Sequence, residues 1–224
     1  MLPSFFEKDN MELYITGYCL ISEGKVILND RLIFFQENFT NFADFIKTVY
    51  KQEQINYPKF YKMDSLSKLG FMAADLVLKT GALGKYTGDQ VGVVLANSSS
   101  SLDTDLVYND TIKDRKNYFP SPSVFVYTLP NIVIGEVCIR HKLKGENAFL
   151  ISESFDAGMI HDYVTELFFN SRVEASVCGW TEMMGNNHTA LVMLVEKVPG
   201  LTAGSSSQPL PFQTTTINRI IERN

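Results

Sequence analysis

Apolar and polar positions alternate along this chain in a way that divides it into strands and helices. Leu13–Cys19 reads as a strand, and Lys25–Phe34 as a short strand or irregular continuation. Phe42, Phe45, Ile46 and Val49 are spaced for a short helix within Asn38–Tyr50. Gln52–Lys62 is polar, aromatic and interrupted by Pro58, which predicts a loop. SLSKLGFMAADLVLKTG then carries a helical spacing, with Asp64 or Ser65 to cap it and Gly81 to end it. QVGVVLANSSS has a continuous apolar centre rich in valine, the mark of a strand buried on both faces. Leu102–Lys113 reads as a helix. Pro120, Pro122 and Pro130 break the next stretch, and a helix resumes after Pro130, where Gly135 would allow close packing. A Lys144-Gly145 turn leads to the strand AFLIS, and a helix is expected after Gly158 through IHDYVTELFFN. VEASVCGWTEM and TALVMLVEKV complete the pattern as strands joined at Gly185-Asn186-Asn187. Helices alternating with strands and a closing strand pair predict an α/β layered fold on a mixed sheet.

Composition changes this picture little. The 224 residues are 45% hydrophobic, enough for one sizeable core. A formal net charge of −5 argues against nucleic acid, whose phosphates need a basic footprint. Cys19, Cys138 and Cys178 each lie in apolar runs and read as buried small residues. His141, His161 and His188 are isolated, without the spacing of zinc ligands, and no cofactor is expected. The first residues lack a basic region followed by a long apolar run, and no stretch reaches the roughly 20 apolar residues of a membrane span. A cytoplasmic protein without membrane contact is expected.

Several stretches carry a more specific signal. YKMDSLSKLGFMAADLVLKTG, QVGVVLANSSSSLDTD, NYFPSPSVFVYTLPNIVIGEVCIRHKLKGEN and SVCGWTEMMGNNHTALVMLVEK succeed one another in an order and spacing that resemble the N-terminal half of β-ketoacyl synthases. Phe119-Pro120, Thr128-Leu129-Pro130-Asn131 and Arg140 through Gly145 are the clearest short matches. The likeness runs over most of residues 11–198, which gives a synthase-like domain at 1–198 and a flexible or partner-docking tail at 199–224. It implies a thiolase-like three-layer α/β/α half-fold. The chain is most similar to the small synthase-like N-terminal proteins of bacterial aryl-polyene or flexirubin-type pathways.

The resemblance also defines what is altered. Such enzymes hold a nucleophilic cysteine at a sharp strand-to-helix junction. The matching segment here is Ser152-Glu153-Ser154-Phe155-Asp156-Ala157-Gly158, and registering it on Gly158 puts Phe155 at the cysteine position. Phenylalanine cannot carry an acyl group. A one-residue slip would place Ser154 there, needing an activating base. Glu153 and Asp156 form a weak candidate carboxylate pair for acid–base work, or else stabilise the start of the next helix. The family's two histidines come from a second half that this sequence does not include. The implied role is a non-catalytic partner or scaffold subunit in fatty-acid or polyketide-type assembly. The alternative is a small acyl-thioester enzyme using Ser154 or the carboxylates. Pairing as a homodimer, or as a heteromer with a complete ketosynthase, is implied through a sheet edge at Ala148, Phe149, Leu150 and Ile151, with Phe125 and Tyr127 contributing. Contact with an acyl carrier protein is also implied, although no basic docking patch stands out.

Overall fold

The computed structural model describes residues 11–37, 39–79, 83–197 and 209–223. The predicted terminator Gly81 and residues 199–208 of the tail lie outside them. The strands are β1 (Tyr14–Ser22), β2 (Lys25–Leu28), β3 (Arg31–Phe35), β4 (Val91–Asn97), β5 (Asn147–Ile151), β6 (Ala175–Met184), β7 (Asn187–Glu196) and β8 (Leu210–Pro211). The helices are α1 (Phe42–Gln52), α2 (Ser65–Leu78), α3 (Leu102–Ile112), α4 (Pro122–Phe125), α5 (Ile132–His141), α6 (Ala157–Phe169) and α7 (Thr214–Ile221). They form the α/β three-layer architecture expected, with one mixed sheet between two helical layers.

The sheet runs β3-β2-β1-β7-β6-β4-β5, and β8 adds to the start of β1. β4 pairs in parallel with β5 and β6, while β1, β2, β3 and β7 pair antiparallel. Successive side chains of a strand point to opposite faces. Val91, Val93 and Leu95 of β4 therefore enter a core with α1, α2 and α5, whereas Val94 and Ala96 enter a second core with α6 and α7. Both faces are covered, which is why β4, β6 and β7 read as apolar runs rather than alternations.

α2 is buried around most of its circumference because it lies between the sheet and α5. Asp64 caps it, accepting from Ser67 N at 2.9 Å. The close approach of α2 to α5 falls on Gly70, where a Cβ would stand 2.5 Å from Val133 Cγ2. Gly135, the residue expected to provide that approach, has nothing within 4 Å of its missing Cβ. Buried Asp75 on α2 accepts from Arg140 Nε of α5 at 2.9 Å.

Other elements depart from the pattern reading. Lys25–Phe35 is a hairpin whose turn residues Asn29 and Asp30 both have positive φ. The predicted loop ends in a 3-10 turn over Pro58–Lys62. The proline-broken stretch forms α4 and a further 3-10 turn, Val126–Thr128, because Ser121 and Pro122 start a helix well but Pro130 does not extend it. The helix expected after Gly158 begins at Ala157, with Asp156 as its cap. His188 belongs to β7 instead of the preceding turn, and it is buried. The C-terminal residues fold back: β8 pairs with Tyr14 and Ile15, and Phe212, Ile217 and Ile220 are buried with α6.

Candidate functional site

The carboxyl ends of β4, β5 and β6 point the same way, since these strands are parallel, and sites in open α/β sheets gather at that end. The Ser152–Asp156 junction lies there, between β5 and α6. Ser152 N donates to Asn97 O at 3.1 Å, which ties the junction to the end of β4. Ser152 Oγ donates to Ser154 O at 2.6 Å and fixes the turn.

Phe155 is half-buried, with its ring 5.5 Å from that of Trp180 at an interplanar angle of 87°. This edge-to-face pair fills the space behind the junction with hydrocarbon. Trp180 is buried in the middle of β6, level with Ala96 near the end of β4. The sequence pattern singles out Phe155 and misses Trp180. The available signal is parity: Trp180 shares a strand face with Cys178, and that face looks toward α6.

The other junction residues do not assemble into a catalytic set. Ser154 is exposed, and its hydroxyl makes no hydrogen bond to a base among the described residues. Asp156 Oδ1 accepts from Met159 N at 2.9 Å, so it serves the α6 N-terminus. Glu153 is exposed and makes no hydrogen bond among the described residues. Glu153 and Asp156 therefore share no hydrogen-bonded partner.

A second carboxylate at the same end is better built. Glu182 of β6 accepts from Ser98 N at 2.7 Å and Ser98 Oγ at 2.6 Å, and also from Ser99 Oγ. Burial raises its pKa, but the serine donors outweigh that and hold it below the ordinary glutamate range. A carboxylate so satisfied stays ionised and is a poor proton acceptor at neutral pH. Its part here is to anchor the turn after β4, where Asn97 brackets Ser100 through bonds of 2.8 and 2.9 Å.

The three histidines are held elsewhere. His141 Nε2 is 3.1 Å from Asp75 Oδ1 on α2, outside hydrogen-bond alignment. His161 stacks on Phe212 at 5.2 Å. His188 lies among Phe39, Phe42 and Phe45, and burial lowers its pKa. Cys19 and Cys178 are fully buried, and burial pushes their thiols far up. Cys138 is only half-buried, less than its apolar run suggests, and burial raises its pKa as well. None of these is an activated thiolate.

Two cavities, of about 500 and 350 Å³, lie at Leu13–His161–Phe212 and at Ser22–Phe39–His188. No residue of Ser152–Asp156 lines either. Among the described residues no group of histidine, cysteine and carboxylate side chains could hold a metal, and no single helix is long and apolar enough to cross a membrane.

The chain also exposes apolar side chains. β5 is the last strand of the sheet, and Ile151 is 50% exposed while Ala148, Phe149 and Leu150 are half-buried. Leu106 and Val107 of α3, Phe119, and Phe125 of α4 are exposed as well. Tyr127 does not join them. It is buried, and its hydroxyl donates to Glu136 Oε1 at 3.2 Å, while Lys59 pairs with the other oxygen of Glu136. Tyr127 is therefore part of the protein's own packing.

This architecture is the thiolase-like fold, as solved structures show. No family model matches the chain, and no curated protein matches it. The ishigamide ketosynthase/chain length factor superposes with a TM-score of 0.63 at 18% identity, over 87% of this chain and 63% of that one. A chain from the complex of a ketosynthase with its chain length factor, from Xenorhabdus doucetiae, superposes with a TM-score of 0.57 at 14% identity, over 96% of this chain and 93% of that one. A β-ketoacyl synthase from Burkholderia phymatum STM815 gives 0.56 at 12% identity, over 84% of this chain and 59% of that one. The chain thus spans less than two thirds of the first and third of these, and nearly the whole of the second.

Proposed function

We propose that this chain is a non-catalytic subunit that pairs with a complete ketosynthase, in the manner of a chain length factor. The observation that carries the reading is the Phe155–Trp180 pair, which occupies the strand-to-helix junction where a condensing enzyme of this fold needs a thiolate. The likeness to a chain of a ketosynthase–chain length factor complex over 93% of that chain's length supports a pairing role. The open β5 edge, with Ile151 exposed, offers a surface for the partner. Such a subunit shapes the space in which the partner's growing chain lies. A fatty-acid or polyketide-type assembly, including an aryl-polyene or flexirubin-type pathway, and contact with an acyl carrier protein belong to the same reading.

Co-expression with a complete ketosynthase tests it. A stable 1:1 heteromer on size-exclusion chromatography is expected, and a protein that elutes alone, or only as a homodimer, sinks the heteromer. A second measurement addresses catalysis. Phe155→Cys is expected to form no acyl-enzyme with an acyl thioester above the wild-type background, because no histidine or other hydrogen-bonded base reaches Ser154 or Phe155 among the described residues. Rapid acylation of the introduced thiol, detected by mass spectrometry, would overturn the account of a lost site.

A further inference from the structure

A cleft of about 250 Å³ opens where the first turn of α2 meets α3 and α4. Its walls are mixed. Met63, Val107 and Val124 are apolar, and Lys62 and Lys68 bring two ammonium groups. Asp64 and Asp103 also line it, but both already accept protein hydrogen bonds. Asp64 takes Ser67 N at 2.9 Å and Thr104 Oγ1 at 2.7 Å, and Asp103 takes Gly185 N at 2.8 Å. The ammonium group of neither Lys62 nor Lys68 makes a hydrogen bond or ion pair among the described residues.

The unmet hydrogen-bonding capacity of the cleft is therefore mainly donor capacity on two cations. Lys68 is partly buried, and desolvation lowers its pKa, with the positive charge of Lys47 on α1 acting in the same direction against Asp64. An ammonium taken partly out of water without a close acceptor is costly, and a bound anion relieves that cost. The volume lies just under the range typical of drug-sized ligands, which favours a short molecule. The apolar walls favour one with a hydrocarbon part over inorganic phosphate.

We propose that this cleft binds a short amphipathic carboxylate, its head group between Lys62 and Lys68 and its alkyl part against Val107 and Val124. The site uses neither the Phe155 junction nor the β5 edge; it shares Val107 with the exposed face of α3, so hexanoate binding is read on the unpaired chain, where it does not depend on the pairing role.

Titrating reductively ¹³C-methylated protein with hexanoate tests the proposal, since methylation keeps the lysine charge. Saturable shifts confined to the Lys62 and Lys68 signals are expected, with hexanol binding at least tenfold more weakly. Lys68→Met should weaken hexanoate at least tenfold in calorimetry. Val107→Trp, on the exposed side of α3, should block the cleft while leaving both lysines in place, so the result does not hang on one variant folding. Equal shifts at every lysine, hexanol binding as well as hexanoate, or an unchanged hexanoate affinity in both variants would overturn it.

Discussion

Replacing Asp75 by alanine is expected to lower the stability of the protein by about 3 kcal/mol. The loss of one partner from a buried ion pair costs about 3–5 kcal/mol, because the other charge stays desolvated. Asp75 is 3% exposed, one turn from the C-terminal end of α2. It accepts from Arg140 Nε at 2.9 Å and lies 3.1 Å from His141 Nε2, both on α5. The Arg140 side chain is 30% exposed and can turn partly to water, which places the cost at the lower end. For a domain of this size the midpoint of thermal unfolding should fall by about 6–12 °C. Asp75→Asn keeps an acceptor for Arg140 and should lose less, which separates hydrogen bonding from charge. The acid limb of stability gives a second readout. Burial raises the pKa of Asp75, but His141 and Arg140 outweigh it and hold the carboxyl below the ordinary aspartate range. The folded state thus releases this proton more readily than the unfolded chain. The contribution is complete above about pH 4 and is lost as pH falls through the depressed value. In Asp75→Ala that limb should flatten in pH-dependent urea denaturation. Glu182, also depressed, should keep part of it. An unchanged limb would mean that the α2–α5 tie carries little energy.

The tie between α2 and α5 also illustrates what a sequence reveals and what it hides. The strands β4, β6 and β7 were legible because burial on both faces leaves a continuous apolar run. The start of α2 was legible because Asp64 is a local cap acting within three residues of itself, whereas α6 starts at Ala157, ahead of the expected start after Gly158. Contacts between distant segments were not. Nothing near Asp75 in the chain announces Arg140, and nothing near Phe155 announces Trp180. Gly135 looked like the close-packing residue because it lies in the middle of an apolar helix, yet packing uses Gly70. His188 read as a turn residue from the Gly185-Asn186-Asn187 signal, but Phe39, Phe42 and Phe45, from a segment about 150 positions earlier, enclose it. Tyr127 stood in an aromatic run that suggested a surface, and the deciding contact is the buried carboxylate of Glu136. The sequence singled out Phe155 through the register on Gly158. Finding the ring that fills the space behind it required the sheet register that places Trp180 opposite.

Ile151→Pro should leave the chain folded and still weaken the proposed pairing with a ketosynthase by about tenfold to a hundredfold, if the β5 edge is where the partner binds. The reasoning starts from the backbone. Glu146 O accepts from Val93 N at 2.9 Å, and Ser152 N donates to Asn97 O at 3.1 Å. In a parallel pair the residues that face one neighbour alternate along the strand. The even-numbered residues of β5 therefore turn their peptide groups to β4, and Asn147, Phe149 and Ile151 turn theirs outward. Among the described residues no strand pairs with that outer edge. Proline is tolerated on an edge strand where its missing N–H would have faced away from the sheet. Ile151 meets that condition, and its side chain is 50% exposed, so the variant removes one outward donor and one exposed apolar side chain without cutting into the core. Leu150→Pro is the matched control: its N–H faces β4, and the change should cost folding itself. Circular dichroism, thermal unfolding and surface plasmon resonance against a complete ketosynthase separate the two effects. If Ile151→Pro bound as tightly as the wild type, pairing would have to use the α3–α4 face around Leu106 and Phe125 instead. Phe125→Glu would then become the variant that breaks the complex.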